Sequence, residues 1–391
     1  MNAQKADVII VGGGIMGASS AFFLRKRGLS VILLERGLIG QQASGVNFGN
    51  TRRMGRPVDQ LPLSNRSREI WLQFKELFGA DVELLLNGHL RVGYTPAHEE
   101  RMLKYTEDAK DFGLGMEMMS AKVLRERFPY LGPEITAACY APYDGHANPR
   151  LAAPAIGRAA AREGAQVFEN TEIVSVEKDG EEFRVTAADG RTFRAPVALV
   201  TTGAWGNRIS SAFGEPVPMI AKAPQMCVTE PVPYAIGPTI GAMADVFEKV
   251  VFLRQVARGN IIIGGGGHEP ADLENVRAYV NPSRTLYKLK NAPRVVPALK
   301  QLNIIRVWAG IEGYMEDSQP AMGPSARVPG LYYAFGFSGE GFQLGPGVGS
   351  VMAELIHTGA TSTPIGQYHI ARFAKQCAPA AALAAVAGGR P

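Results

Sequence analysis

The sequence predicts an α/β fold: a Rossmann-like parallel-sheet domain with an α+β companion on a mixed or antiparallel sheet. Three observations predict it. A short apolar strand near the N-terminus runs directly into a glycine turn and a helix. The strand that follows ends on an acid, 18 residues beyond the last glycine of that turn. The middle of the chain then changes character, from strand–helix alternation to a series of short alternating strands.

Each element has a physical reason. Residues 7–11, Asp-Val-Ile-Ile-Val, suit a strand buried on both faces of a parallel sheet. The turn is Gly12-Gly13-Gly14-Ile15-Met16-Gly17, and a helical stretch continues to about Arg27, with Gly28 as its stop. Gly12 permits the tight exit from the strand. Gly14 lets a pyrophosphate approach the backbone, and Gly17 lets the helix pack close to the sheet. The helix start offers unpaired N–H groups and a positive dipole end to that diphosphate. A second strand covers residues 30–34, and Glu35 at its end can accept hydrogen bonds from ribose hydroxyls. A glycine pattern alone is weak. With the strand before, the helix after and the acid in place, it predicts a dinucleotide site. Gly12, Gly14, Ile15, Met16, Gly17, Glu35 and Arg36 form its first cofactor-binding set. The acid disfavours a 2′-phosphate and so NADP, but does not separate FAD from NAD.

Beyond Glu35 the chain does not enter another helix and strand, as an NAD enzyme would. Residues 41–53 are small and polar, suited to lying along a cofactor. Here the sequence resembles the D-amino-acid-oxidase superfamily of flavoproteins, in its glycine oxidase and monomeric sarcosine oxidase branch. Gly49-Asn50-Thr51-Arg52 is similar to the flavin-facing loop of the sarcosine oxidases. Asn148-Pro149 and a helix over 151–163 resemble the return into the FAD domain. Residues 165–176 resemble a strand with adenine-side contacts, with Glu172 and Ile173 at its middle. Residues 197–205, Val-Ala-Leu-Val-Thr-Thr-Gly-Ala-Trp, resemble the strand and glycine turn that close over the cofactor. Residues 330–343 resemble a strand, glycine-rich loop and helix start that bring backbone N–H groups to the flavin pyrimidine. The helix over 344–357 would aim its dipole at reduced flavin. Four such segments in this order carry the resemblance. It adds Ser44, Asn47, Gly49, Asn50, Thr51, Ile173, Thr202, Gly203, Trp205, Gly339, Glu340, Gly341, Phe342 and Gln343 to the cofactor-binding set. It implies non-covalent FAD, because residues 41–53, 308–317 and 336–343 lack the cysteine or histidine that covalent attachment uses.

The resemblance also implies a reaction: oxidation of the C–N bond of an amine or amino acid, by hydride transfer to flavin N5, giving an imine that water hydrolyses. Carboxylate recognition departs from the pattern. Sarcosine oxidases use an arginine after the flavin loop and a lysine in the C-terminal loop. Those positions fall here near Gly55, with Arg56 one step on, and on Gln343. The glycine oxidase branch uses an arginine in the strand over 308–314, where this chain has Glu312. Two readings stay open: Glu312 contacts a cationic part of a larger amine, or it pairs with a nearby arginine. Arg254, ending a strand over 249–254, and Arg52 are cations that could stand near the flavin or a carboxylate. Arg52, Arg254, Glu312, Tyr314 and Gln343 are thus the catalytic candidates, with Tyr143 and His268 as weaker pocket candidates.

Discontinuous domains follow from this reading. Residues 1–85, 145–215 and 305–391 form the FAD-binding part, and 86–144 and 216–304 the substrate part. Further strands are expected over 88–95, 223–229 and 260–264, and helices over 64–78, 97–111 and 282–296. The alanine- and glycine-rich stretch from about Pro379 is a terminal helix or a frayed tail.

Composition excludes other classes. A hydrophobic fraction of 46% and a charged fraction of 20% fit a globular protein able to enclose a pocket. The net charge of +5 is modest and dispersed, so nothing points to nucleic acid. Cys139, Cys227 and Cys377 lie too far apart for a metal or redox motif, and no metal is expected. No apolar run approaches a membrane span. A strand beginning within six residues leaves no room for a signal peptide, so a cytoplasmic location is expected. The expected partner is a small amine, with a homo-oligomer or electron-accepting subunits as further possibilities. The segment Gly341-Phe342-Gln343-Leu344-Gly345-Pro346-Gly347 also resembles subunits of heteromeric opine or hydroxyproline dehydrogenases. A plain NAD-dependent dehydrogenase would share the first 35 residues but not the loop at 336–341.

Overall fold

The computed structural model describes residues 3–246 and 249–374. Cys377 and the stretch from Pro379 lie outside the described residues. The predicted opening unit forms as read. Val8–Val11 is buried along its length and pairs in parallel with Val31–Leu34 on one side and Val197–Val200 on the other. The six-stranded sheet runs, edge to edge, Ala321–Pro324, Leu331–Phe335, Val197–Val200, Val8–Val11, Val31–Leu34 and Gln166–Phe168. All its pairings are parallel except that of the outer strand Ala321–Pro324. Burial on both faces explains the continuous Val, Ile and Leu runs.

Three helices cover one face of this sheet through a shared apolar core: Ile15–Lys26, Pro149–Arg162 and Gly341–Thr358. Glycine lets the first and last approach closely. A Cβ on Gly349 would lie 2.3 Å from Ser19 Cβ and 2.5 Å from the Ser19 carbonyl carbon. Trp71 on the helix Leu61–Leu72 donates its indole N–H to the Gln343 carbonyl, tying a fourth helix to the last. A four-stranded sheet covers the opposite side, through apolar contacts of Val185 and Phe193 with Ile9 and Ile32.

The large second sheet is mixed. Met219–Pro231, Asn260–Gly265, Val251–Gln255, Thr239–Ala242, His89–Gly93 and Ala137–Ala141 are its main strands. All adjacent pairs among them are antiparallel except Thr239–Ala242 with His89–Gly93. One face packs on the helix Pro282–Val295.

Some boundaries differ from expectation. The single strand read over 165–176 is two strands in different sheets, Gln166–Phe168 and Ile173–Asp179. Asn170 turns the chain between them at a left-handed φ of 51°, a conformation asparagine tolerates. The strand read over 308–314 breaks at Gly310, giving Ile304–Ala309 and Glu312–Met315. Both pair with Met219–Pro231, so residues from 305 to 315, assigned on sequence to the FAD part, hydrogen-bond within the large sheet. The helix over 64–78 is Leu61–Leu72 and Phe74–Phe78, interrupted at Gln73.

Replacing Gly349 with valine should force the first and last helices apart. An overpacking cost of about 2–3 kcal/mol is expected. Thermal unfolding followed by circular dichroism checks it; an unchanged midpoint would show that the contact tolerates a side chain.

Candidate active site

A cavity of about 650 Å³ opens at the carboxyl ends of the parallel strands, where open α/β sheets hold ligands. Its floor is the glycine turn. Gly12 has φ 107°, and a Cβ there would lie 2.6 Å from the Thr201 carbonyl oxygen. A Cβ on Gly17 would lie 1.9 Å from the Gly12 carbonyl oxygen, so Gly17 sits under the floor as a packing residue. The helix starts at Gly14 without a side-chain cap. The Ile15 N–H donates to Ser44 Oγ at 2.9 Å, which fastens the 41–53 loop over the turn. The Glu35 carboxylate accepts from the Gly13 N–H at 2.6 Å and the Gly37 N–H at 2.8 Å. It thus braces the turn while keeping lone pairs for ribose hydroxyls. Arg36 stacks over the Trp205 ring at 4.4 Å.

The structure brings many of the expected residues to this wall. Gly12, Gly14, Ile15, Met16, Glu35, Arg36, Ser44, Asn47, Ile173, Thr202, Gly203, Trp205, Glu312, Gly339, Gly341 and Phe342 all line it. Asn47 also shapes its own loop, accepting from the Gly49 N–H at 2.7 Å. The wall fits FAD. Thr202 Oγ1 lies in it, buried and without a hydrogen-bond partner. The glycine turn keeps side chains away from a helix start that suits a pyrophosphate.

At one end of the cavity Tyr314 Oη donates to Glu312 Oε2 at 3.0 Å, and the His268 ring tilts against Tyr314 at 4.9 Å. Gly339, with φ 85°, leaves room there; a Cβ on it would lie 3.2 Å from Tyr314 Oη. Lys222 is the strand neighbour of Glu312, and its ammonium lies over the Tyr314 ring at 5.0 Å. Burial pushes the Glu312 carboxyl up to about 7; the Tyr314 hydrogen bond opposes the rise and Glu340 adds to it. Among the described residues no arginine lies within ion-pair distance of it. The reading in which Glu312 pairs with an arginine therefore finds no support in the geometry.

Other candidates are placed elsewhere. Arg52 bonds Glu340 Oε1 at 2.7 Å and the Met54 carbonyl at 2.6 Å. Arg56 is buried, 3.1 Å from Glu340 Oε2, and donates to Gln60. Burial would raise the Glu340 carboxyl, but Arg52 and Arg56 together hold it below its usual range. Gln343 is fully buried between helices, exchanging hydrogen bonds with Ser64 at 2.9 Å, and does not face the cavity. Arg254 is also buried away from it, donating to the Phe48 carbonyl at 2.6 Å and facing His146 Nδ1 at 3.0 Å. It tethers the loop that carries Gly49, Asn50 and Thr51, none of which lines the cavity wall. Tyr143 is half exposed and packs on Gly115.

Sequence reasoning missed Lys178, Arg208 and Phe213 in the wall. Arg208 was within reach: it follows Trp205 by three positions, the spacing that keeps two residues on one helix face. Lys178 was hidden by the misread break at Asn170.

A family profile described as FAD dependent oxidoreductase (DAO) matches residues 7–355. The chain belongs to this family. It is an FAD-dependent oxidoreductase. Among its relatives, the glycine oxidase of Geobacillus kaustophilus is 26% identical over 94% of this chain and 97% of its own. A component of the opine oxidase of Rhizobium meliloti is 26% identical over 95% of this chain and 99% of its own. Of solved structures, the L-proline dehydrogenase of P. horikoshii superposes with a TM-score of 0.89 at 28% identity, covering 96% of this chain and 99% of its own. Among the described residues no helix is long and apolar enough to cross a membrane.

Glu35→Ala removes two charge-assisted hydrogen bonds, one to the glycine turn at Gly13 and one to Gly37, each worth about 1.5–3 kcal/mol. FAD retention should fall at least about tenfold, read from the recovery of flavin fluorescence on dilution. Unaltered retention would show that Glu35 only terminates its strand.

Proposed function

We propose that the chain oxidises the C–N bond of a small secondary amine or amino acid, with the large sheet serving as the substrate-binding part. The observation that carries this reading is Glu312, an acid with no ion pair among the described residues, at the end of the FAD cavity. The relatives named as glycine oxidase and opine oxidase support the same class of donor.

FAD, when bound, supplies the acceptor for the hydride equivalent leaving the carbon beside nitrogen. The residues of the chain do the rest. An amine arrives mostly as its ammonium form and must lose a proton before oxidation. The ionised Glu312 carboxylate attracts that ammonium and takes its proton, and Tyr314 Oη holds the carboxylate in place. Water then hydrolyses the released imine. Glu340 is committed to Arg52 and Arg56, so it is not available for the same work.

A second reading concerns the electrons. The match to one component of an opine oxidase, over nearly the whole of both chains, favours a role within a larger enzyme, passing electrons to a partner chain.

Purified protein mixed anaerobically with sarcosine, glycine, proline and N-substituted amino acids should lose its visible flavin absorbance with at least one of them. Rapid recovery in air supports an oxidase; recovery only with an added electron acceptor supports the multi-chain reading. A yellow protein that no amine bleaches would reject the proposed substrate class.

The Glu312 role also predicts a pH profile. The carboxyl is raised, so the carboxylate appears as pH rises through about 7. kcat/KM should climb across that window, and Glu312→Gln should abolish this limb, leaving only the titration of the substrate amine. The same sign makes folding stability fall with rising pH there, because the folded state holds the proton more tightly than the unfolded chain. A limb retained in Glu312→Gln would assign the titration elsewhere.

A further inference from the structure

The strand His89–Gly93 lies between Ala137–Ala141 and Thr239–Ala242 in the large sheet. Side chains alternate across it. Leu90 and Val92 join the apolar core under the helix Pro282–Val295. Arg91 takes the other face, between its register partners Cys139 and Gly241. One of these is small and the other has no side chain. A cavity of about 210 Å³ therefore remains between this face and the helix Pro96–Asp108. Met54, Met102 and Met243 wall it, and Arg101 stands at its edge, half exposed and 3.3 Å from the exposed Asp245. It shares no lining residue with the larger cavity.

Two donors in this space are unused. The Arg91 guanidinium makes no ion pair or hydrogen bond among the described residues. Tyr105 Oη is buried beside the Gly55 backbone and has no well-formed hydrogen bond. The acids nearby are already engaged. Arg53 faces Asp144 at 3.5 Å, and Arg52 and Arg56 both hold Glu340. Four arginines thus meet two carboxylates. Arg91 and Arg52 approach each other at Gly55, where a Cβ would lie 2.5 Å from Arg91 Nη1 and 3.5 Å from Arg52 Nη1. Burial first, and then Arg52, lower the hold of Arg91 on its proton. A cation drawn out of water beside another is a cost that an incoming anion removes.

The lining selects the kind of anion. A guanidinium and a hydroxyl together suit a carboxylate, which accepts two parallel bonds from the first and keeps lone pairs for the second. The thioether walls suit a short methylene chain better than a hydrated inorganic ion. The space is too small for a nucleotide or a drug-sized molecule.

We propose that the space between Arg91 and the helix Pro96–Asp108 is a binding site for a short aliphatic monocarboxylate, separate from the larger cavity. The ligand is an effector and not the molecule oxidised, so the site stands whichever amine is the substrate. Met54 in its wall and Arg52 beside it belong to the loop that Glu340 holds. A carboxylate on Arg91 offsets the charge that faces Arg52 and so steadies that loop.

Calorimetric titration of the holoenzyme with butyrate, at an ionic strength held constant with sodium chloride, tests the site. Butyrate should bind in a single saturable step, and butanamide, its neutral counterpart, should not bind. Arg91→Met should remove the binding. Arg91→Lys should weaken it while keeping part, because an ammonium lacks the planar fork. Tyr105→Phe, which deletes one oxygen and leaves the ring in place, should weaken it about tenfold. The unfolding temperature of the holoenzyme should rise with added butyrate, and this rise should be missing in Arg91→Met. Butyrate that binds Arg91→Met and Tyr105→Phe as tightly as the parent occupies another place and overturns the proposal. No binding to the parent, or equal binding of butanamide, overturns it too. If Arg91→Met does not fold, Arg91→Lys and Tyr105→Phe decide the matter by the same comparison.

Discussion

The contact on which the structure depends is the one between Gly17 and Gly12. The first helix lies so close to the end of the first strand that a single carbon on Gly17 would fall 1.9 Å from the Gly12 carbonyl oxygen. That distance fixes the height of the helix over the sheet. It places the helix start beside Thr201 and Thr202, across the neighbouring strand, and so defines the cavity floor. The last helix then packs on the first through Gly345 and Gly349. Substituting any of these glycines would lift a layer, and the cofactor wall would open with it.

A second constraint joins the two ends of the chain. Arg52 and Arg56, from the loop after the glycine turn, both reach Glu340 in the loop before the last helix. Removing Glu340 would leave two facing guanidinium groups without a counter-ion, a larger loss than one hydrogen bond. Arg254 works in the same direction from the large sheet, holding the Phe48 carbonyl from behind. These cations therefore set where the loop stands.

The nucleotide-binding unit was legible because its chemistry is local. The strand, turn, helix and acid lie within residues 7–35, and Gly13 and Gly17 each answer to a contact inside that stretch. The large sheet was legible only in part. Its strands alternate as expected, but Glu312, Lys222 and Gly339 meet across distant segments, and spacing in sequence carries no trace of that. Gln343 shows the reverse problem. Its position in a motif suggested a ligand contact, whereas the helix phase turns it inward to Ser64.

The two acids near the site illustrate how environment divides identical chemistry. Glu312 and Glu340 are both carboxylates in largely buried surroundings. Glu340 has two guanidinium groups within 3.1 Å, and they outweigh its desolvation, so it stays ionised as a fixed counter-ion. For Glu312, burial raises the proton affinity into the neutral range; the repulsion of Glu340 adds to the rise and the Tyr314 hydroxyl only partly opposes it. One carboxylate is thereby tied to structure and the other is left able to exchange a proton. The separation depends on the arginines. Were Arg52 lost, Glu340 would keep Arg56 as its counter-ion but its charge would be less fully offset, and the proton affinity of Glu312 would rise. The loop anchor and the titrating acid are coupled through a single electrostatic network, so a change made for binding at Arg52 would also be read in the pH dependence of Glu312.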